Sequence, residues 1–125
     1  MNLLPLRLVR ANDEVMLASP EGWHLKLSPE NAALAARASG DTVVLGARHS
    51  TLKLHKTAVP GAVAGQSYIV EPTGDITFVQ VKLGSAIIVV SVEPAVPIAA
   101  DEPVWVEFDQ GHLHLFDGET QNALG

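Results

Sequence analysis

The sequence predicts an all-β fold, a small barrel that carries one short helix. Most segments alternate apolar and polar residues with a period of two, which is the pattern of strands with one face in a core. Turn-forming pairs such as Asn12-Asp13 and Asp117-Gly118 separate these segments. Only one segment has the composition of a helix. Many short strands favour a barrel, because closure leaves no sheet edge exposed.

The strand pattern is of two kinds. Four segments alternate and are predicted to have one face in water: residues 4–8, 23–27, 79–83 and 104–108. Two segments are apolar on both faces and are predicted to be central strands: residues 43–45 and 87–90.

The predicted helix follows Ser28, which can accept a hydrogen bond from the first turn as an N-cap. Pro29 suits the first helical position, and Glu30 complements the positive end of the helix dipole. Residues 32–38 have high helix propensity, and Gly40 can end the helix with a positive φ. We expect this helix to cover one end of the barrel or sheet.

The chain of 125 residues predicts one domain, residues 1–125, built from two sub-blocks. The sub-blocks are residues 2–54 and 65–124, and we expect them to share one core because each is too small to bury much surface alone. Between them, residues 56–65 are rich in Ala, Gly and Pro. This stretch is either a linker between the sub-blocks or a loop across one end.

Composition excludes several classes of function. The chain has no cysteine, which excludes disulfides and thiolate metal sites. Its net charge is −6, and no Lys or Arg follows Lys82. Nucleic-acid binding needs clustered cations, so nucleic acid is not an expected partner. Neither a signal peptide nor an apolar run long enough to cross a membrane is apparent in the sequence.

A search for catalytic motifs returns nothing. The sequence lacks a phosphate-binding G-x-x-x-x-G-K-[ST] loop, a G-x-S-x-G elbow, an H-E-x-x-H pair and a G-x-G-x-x-G turn. We therefore predict no catalytic residues and no cofactor bound by this segment. We expect that it neither binds nor hydrolyses ATP, since nothing in it supplies the counter-charge that a triphosphate needs.

Polar pairs that could carry chemistry have simpler interpretations. His112 and His114 lie two apart, so on a strand both would face the same side as half of a metal site. Without a third ligand at a suitable spacing, we predict two solvent-facing histidines and no metal. The pair Asp101-Glu102 is predicted to lie in a solvated turn, and Glu107 on the outer face of its strand.

Two tryptophans are the candidate interface residues. Trp105 shares the outer face of its strand with Glu107, and an exposed tryptophan among polar neighbours can anchor a protein contact. The alternative is that Trp105 packs under a neighbouring loop. Trp23 is the second candidate, provided that its side chain faces outward.

Motifs along nearly the whole chain resemble one known family. Residues 1–5 resemble a Met-Asn-x-x-Pro junction, residues 46–54 a Gly-x-Arg-Pro-Glu-x-Leu segment, residues 70–84 a Val-Glu-x-x-Gly strand pair, and residues 108–124 a closing Phe…His-Leu-Phe-Asp…Thr-Gly-x-x-Leu. Together they resemble the C-terminal TOBE domain, an OB-like regulatory domain, of the ATP-binding subunits of carbohydrate ABC importers of the maltose-importer type. Two departures are Arg48-His49-Ser50 for Arg-Pro-Glu and Thr120-Gln121 for Thr-Gly.

The resemblance implies a non-catalytic regulatory and dimerisation domain with an OB-like (TOBE/MOP-like) fold. The partners it implies are a second copy of the subunit, in a weak homodimer, and the permease subunits through an ATPase domain that would hold ATP and Mg²⁺. It also implies a cytoplasmic location at the inner face of the cell membrane. We expect the chain to be a domain excised from such a subunit, because it begins where the hinge of the family ends.

One alternative is an OB-like domain that binds a small oxyanion. Related domains bind molybdate through a Ser-Ala-Arg-Asn-type loop and a lysine. This sequence has no such loop, and its acidic C-terminal stretch disfavours an anion.

Overall fold

The computed structural model describes residues 1–124, and this part of the chain forms ten strands and one α-helix. Gly125, the last residue of the predicted domain, lies outside the described residues. The strands are β1 (Asn2–Ala11), β2 (Glu14–Ala18), β3 (His24–Lys26), β4 (Thr42–Ala47), β5 (Leu52–His55), β6 (Val63–Pro72), β7 (Thr77–Leu83), β8 (Ala86–Val92), β9 (Pro103–Phe108) and β10 (His114–Asp117). The helix α1 spans Pro29–Ala35, and short 3₁₀ helices span His49–Thr51 and Gln110–His112. Within residues 1–124 no helix is long and apolar enough to span a membrane.

The chain divides into two compact units. The first contains Met1, residues 3–47 and the chain from Gln110 onward; the second contains Asn2 and residues 48–109. These bounds differ from the predicted sub-blocks, because β10 returns late in the chain to pair with β4. Residues 56–62 join β5 to β6 within the second unit, so this stretch is a loop and the linker interpretation was wrong. That the two units form a single domain stays a prediction.

The first unit is built on a five-stranded sheet in the order β10-β4-β1-β2-β3. Its core is mainly leucine, with Leu17 and Leu45 fully buried. β1 and β2 form an antiparallel hairpin whose turn residues, Asn12 and Asp13, have φ angles of 51° and 65°. Positive φ at both positions is the geometry of a type I′ turn, in which Asn and Asp are favoured. The predicted turn and the central position of β4 are both confirmed.

The helix α1 begins as the sequence predicts and ends earlier. Ser28 is the N-cap, and its Oγ accepts a hydrogen bond from the Asn31 amide at 3.2 Å. The helix stops at Ala35, after which the amides of Arg37 and Ala38 bond three residues back in a tightened last turn. Gly40 therefore does not end the helix. The Asn31 side chain donates to the Gln110 carbonyl oxygen at 2.9 Å and ties the helix to the 3₁₀ turn before β10.

The second unit is built on another five-stranded sheet, in the order β5-β9-β6-β7-β8. Alternate residues of β7 and β9 form its core, and Val79, Val81, Val104 and Val106 are fully buried. A bulge interrupts the pairing of β6 with β7 after Ser67. The turn between these strands contains Gly74, whose φ is 100°.

β8 was predicted to be a central strand and is an edge strand. Ile88 and Val90 are buried, whereas Ile87 is 52% exposed. The apolar residues on its two faces therefore have different environments, a core on one side and solvent on the other. The edge is partly covered by Asn2, whose side-chain amide donates to the Val89 carbonyl oxygen and accepts from the Val89 amide, each at 2.8 Å. This contact gives the Asn of the predicted Met-Asn-x-x-Pro junction a structural role.

Candidate interaction surface

The side of the second sheet that faces away from its core is the candidate functional surface, called here the outer face. It consists of alternate residues on all five strands, as the registers of the sheet place them. Its members are Lys53 and His55 on β5, Pro103, Trp105 and Glu107 on β9, Ala64, Gln66, Ile69 and Glu71 on β6 with Tyr68 at the bulge, Phe78, Gln80 and Lys82 on β7, and Ile87, Val89 and Ser91 on β8.

Trp105 lies on the outer face and is half-buried. β9 is a central strand, so Trp105 is flanked by His55 on one side and Ala64 on the other. The His55 ring Nε2 lies 2.7 Å from Glu107 Oε1, a hydrogen bond in which the ring N–H donates to the carboxylate. The prediction that Trp105 and Glu107 share a face is confirmed. That Trp105 anchors an interface stays a prediction.

The bulge in β6 adds large apolar side chains to the outer face. It leaves two consecutive residues exposed, Tyr68 at 40% and Ile69 at 37%. Bulges re-aim side chains in this way. Lys82 Nζ lies 4.1 Å from the centre of the Tyr68 ring, which is a cation–π contact. No sequence pattern singles out Tyr68 or Ile69, because the bulge breaks the period of two.

The far end of the outer face carries a second aromatic group. The His49 ring meets the Phe78 ring edge to face, with centroids 5.2 Å apart. His49 Nδ1 also lies 3.0 Å from Ser91 Oγ, which holds the ring in place. Apolar and aromatic side chains thus reach from β9 to β8 across this face.

The charges of the outer face balance one another. It carries two lysines, Lys53 and Lys82, and two glutamates, Glu71 and Glu107. Their sum is zero with His55 neutral, whereas the whole chain carries −6. Two copies of this face could therefore approach without the repulsion that the rest of the surface would cause.

The second candidate, Trp23, is placed differently. It precedes β3 in the first unit and is half-buried, and its carbonyl oxygen accepts a hydrogen bond from the Ser19 amide at 2.9 Å. Its ring Nε1 is buried and has no hydrogen-bond partner among residues 1–124. A partner protein cannot reach that ring nitrogen directly, so Trp23 fits an interface role less well than Trp105. Its role also stays a prediction.

The other polar residues of interest are dispersed. His112 ends the 3₁₀ helix Gln110–His112 and only His114 lies on a strand, so the expectation of two histidines on one strand face was wrong. The reason is the helical turn that precedes β10. Among the described residues, no three His, Asp or Glu side chains come together as a metal site. The turn at Asp101 and Glu102 is only partly solvated, since Glu102 is half-buried and hydrogen-bonded.

Pockets in the first unit do not favour an anion. One, of about 360 Å³, is lined by Met1, Leu3, Val44, Phe116 and Gln121 and contains no charged side chain. Three others each contain one cation, Arg7, Lys26 or Arg10. In each of these three, at least one carboxylate accompanies the cation. An oxyanion there would meet opposing charge instead of clustered positive charge.

Comparison with known proteins links the chain to one family. The model of the TOBE domain family matches residues 50–116, which include β5 to β9 and therefore the whole outer face. The chain is also 32% identical over 120 residues to an uncharacterized ABC transporter ATP-binding protein, y4oS, of Sinorhizobium fredii (strain NBRC 101917 / NGR234). That match takes in 96% of this chain, and the chain spans 30% of the length of that relative.

A solved structure has a similar fold. The cytoplasmic molybdate-binding protein ModG, in a form with molybdate bound, matches with a TM-score of 0.71 over 91% of this chain and 94% of that one. The sequence identity is 15%, so the likeness concerns the fold alone. It confirms the predicted all-β, OB-like fold.

Proposed function

Because the chain belongs to the TOBE domain family, we propose that it serves as the regulatory and dimerisation domain of the ATP-binding subunit of an ABC transporter. A TOBE domain is a small non-catalytic domain, and the similarity to an ABC transporter ATP-binding protein supports this context. The proposal includes an ATPase domain elsewhere in the subunit, permease subunits as partners, and a position at the cytoplasmic face of the membrane. A carbohydrate as the transported solute is proposed from the motif resemblance alone.

The outer face is the proposed contact between two copies. One observation supports it most: aromatic and apolar side chains are concentrated on a face of zero net charge, in a chain that carries −6. A two-fold contact must be self-complementary, and a face with equal numbers of both charges can satisfy this. Trp105, on a central strand, is the proposed anchor, since tryptophan is enriched among residues that dominate binding energy.

Sedimentation equilibrium over a concentration series tests the contact. For the isolated chain we expect a dissociation constant of tens of micromolar or weaker, an order of magnitude typical of a small interface without tethering. Trp105→Ala should weaken pairing by about tenfold or more, the loss of one anchor residue. A tight dimer at nanomolar protein would contradict this part of the proposal, as would a contact centred on the acidic residues 101–117.

The same experiment can be made with a second test variant and a matched control variant. Ile87 on the outer face is 52% exposed and Leu3 in the first unit is 57% exposed. Replacement of either by Asp adds the same charge at an exposed apolar position. Ile87→Asp should weaken pairing, whereas Leu3→Asp should leave it unchanged. Equal effects would show that the outer face is not the contact.

A measurement of ATP binding distinguishes a non-catalytic regulatory domain from an ATPase domain. We expect that calorimetric titration of the chain with Mg²⁺-ATP gives no binding heat, because the sequence lacks a phosphate-binding loop. Micromolar binding of ATP would contradict the proposed division of labour between the domains.

Oxyanion binding is the second candidate function, and the structural likeness to ModG favours it. The charges do not, since the three first-unit pockets that contain a cation also contain a carboxylate. Titration with molybdate, with sulfate as a control anion, decides between the two. Saturable molybdate binding in preference to sulfate would replace the regulatory proposal with the ligand-binding one.

A further inference from the structure

The loop between β8 and β9 contains an uninterrupted run of apolar residues. Residues 94–100 read Pro-Ala-Val-Pro-Ile-Ala-Ala, and six of the seven are exposed, Ile98 being half-buried. Val96 exposes 37% of its surface. Contiguous exposed apolar surface of this kind marks contact sites in soluble proteins. The run is called here the apolar loop.

Hydrogen bonds with the buried Ser67 and with Glu102 hold the apolar loop in one conformation. Ser67 is fully buried, and its hydroxyl donates to the Ala99 carbonyl oxygen at 2.6 Å and accepts from the Glu102 amide at 2.9 Å. The Glu102 carboxylate accepts from the Ala99 amide at 2.7 Å. The two prolines of the loop further restrict its backbone. A loop already ordered in this way loses little conformational entropy when it binds.

Lys56 also holds the apolar loop in place, and its positive charge is balanced by the negative charge of Glu102. Lys56 Nζ donates to the Pro97 carbonyl oxygen at 2.7 Å and lies 3.3 Å from Glu102 Oε1. The amide of Ala99 and the nearby Lys56 hold the pKa of Glu102 below its ordinary range, so this carboxyl stays ionised at neutral pH. The positive charge nearest the loop is therefore already neutralised by Glu102.

Two other carboxylates remain at the ends of the loop. Glu93 and Asp101 are both exposed, and within residues 1–124 neither carboxylate has an ion-pair or hydrogen-bond partner. Asp101 also has a φ of 62°, which fixes the turn where the loop enters β9. The apolar loop thus has an acidic border at both ends.

We propose that the apolar loop is a docking element that packs against an apolar stripe, bordered by Lys or Arg, on a partner protein. The apolar side chains supply the buried area, and the acidic border selects a basic rim on the partner. A membrane fits less well, because anionic lipid would repel Glu93 and Asp101 and because the loop has no aromatic residue for the interface. This contact is separate from the outer face and does not depend on the proposed homodimer.

Synthetic amphipathic helices provide the probe. A labelled peptide of Leu and Lys presents an apolar stripe bordered by positive charge, and its counterpart of Leu and Glu presents the same stripe bordered by negative charge. Fluorescence anisotropy measures the binding of each to the full chain. We expect saturable binding of the Leu/Lys peptide and at least about tenfold weaker binding of the Leu/Glu peptide, because the latter would be repelled by the acidic border.

Val96→Asp and Leu3→Asp form a test and its control, since each replaces an exposed apolar side chain, 37% exposed at Val96 and 57% at Leu3. Each substitution adds one negative charge, which would strengthen any binding driven by net charge alone. Val96→Asp should instead weaken binding of the Leu/Lys peptide by about tenfold, the loss of one buried valine. Leu3→Asp, in the first unit and outside the outer face, should leave it unchanged. Circular dichroism checks that both variants are folded.

The acidic border is tested by Glu93→Gln with Asp101→Asn, the latter chosen because Asn tolerates a positive φ. This double variant should bind the Leu/Lys peptide several-fold more weakly and with less salt dependence. Three results would overturn the proposal: equal losses in Val96→Asp and Leu3→Asp, equal binding of both peptides, or no binding of either. Binding to phosphatidylcholine vesicles that Val96→Asp abolishes would also overturn it, in favour of a membrane.

Discussion

In each unit, hydrogen bonds to one carboxylate hold an irregular segment of the chain in place. The two carboxylates have different kinds of partner. In the first unit, Asp117 accepts hydrogen bonds from the Ser39 amide at 3.0 Å, the Ser39 hydroxyl at 2.9 Å and the Glu119 amide at 2.9 Å. In the second unit, Glu102 accepts from the Ala99 amide and pairs with Lys56. The former has neutral donors only, whereas the latter has a cation.

The difference in burial follows the difference in partners. Asp117 is 5% exposed, and its neutral donors are held by the surrounding backbone. The Glu102 side chain is 30% exposed, so water can replace part of what the protein supplies. Asp117 joins segments 78 residues apart in sequence, while Glu102 bonds Ala99, three positions away, and reaches the distant Lys56 only through an exposed ion pair. We infer that Asp117 contributes to global stability and that Glu102 mainly orders the apolar loop.

The largest expected effect is that of Asp117→Ala. It would leave the amides of Ser39 and Glu119 without their acceptor at a part-buried site, and an unsatisfied donor that is shielded from water is among the costlier defects. Thermal unfolding at pH 7 should show a melting temperature lower by on the order of 5 °C for a domain of this size. Glu102→Ala should lower it by less than half as much. An equal or larger loss in Glu102→Ala would contradict the comparison.

Acid provides the second test. The amides of Glu119 and Ser39 hold the pKa of Asp117 below its ordinary value of 3.8, and the amide of Ala99 holds the pKa of Glu102 below 4.5. A carboxyl whose pKa is lowered on folding stabilises the protein above its unfolded pKa. That contribution is lost as the pH falls through the folded value. The contribution of these two carboxyls should therefore be constant above about pH 5, and stability should decrease below pH 4.

Asp117→Asn serves as the control for the acid test, because it preserves the shape of the side chain and removes the titration. Below pH 4 the melting temperature of this variant should fall less steeply than that of the wild type. Parallel decreases in the two proteins would show that other carboxyls determine the acid sensitivity.

The sequence predicts local features of both units well. Ser28 caps α1 and Asn12-Asp13 forms a hairpin turn, because such features depend on a few neighbouring residues. The alternation of residues 104–108 correctly places Trp105 and Glu107 on one face. The resemblance to the TOBE domain of ABC transporter ATP-binding subunits agrees with the family match.

Features that depend on distant contacts were not predictable. The apolar run at β8 indicates burial on two faces but contains no information about neighbours at the strand edges, so its edge position was missed. The bulge that exposes Tyr68 and Ile69 has no sequence signature in a single chain. The contact of Asp117 with Ser39 forms only because β10 pairs with β4, and no local pattern could indicate that pairing.

The smallest expected change in melting temperature is that of Lys56→Met. Measuring this change at two salt concentrations tests whether it is electrostatic. Lys56 is 42% exposed, and an exposed ion pair contributes little, so the melting temperature should fall by only about 1–2 °C. Raising the salt from 0.1 M to 1 M shortens the Debye length from about 10 Å to about 3 Å and should reduce this difference from the wild type. The difference between Asp117→Ala and the wild type should persist, because the donors to Asp117 are uncharged. If salt reduces both differences alike, the two carboxylates do not act by separate means.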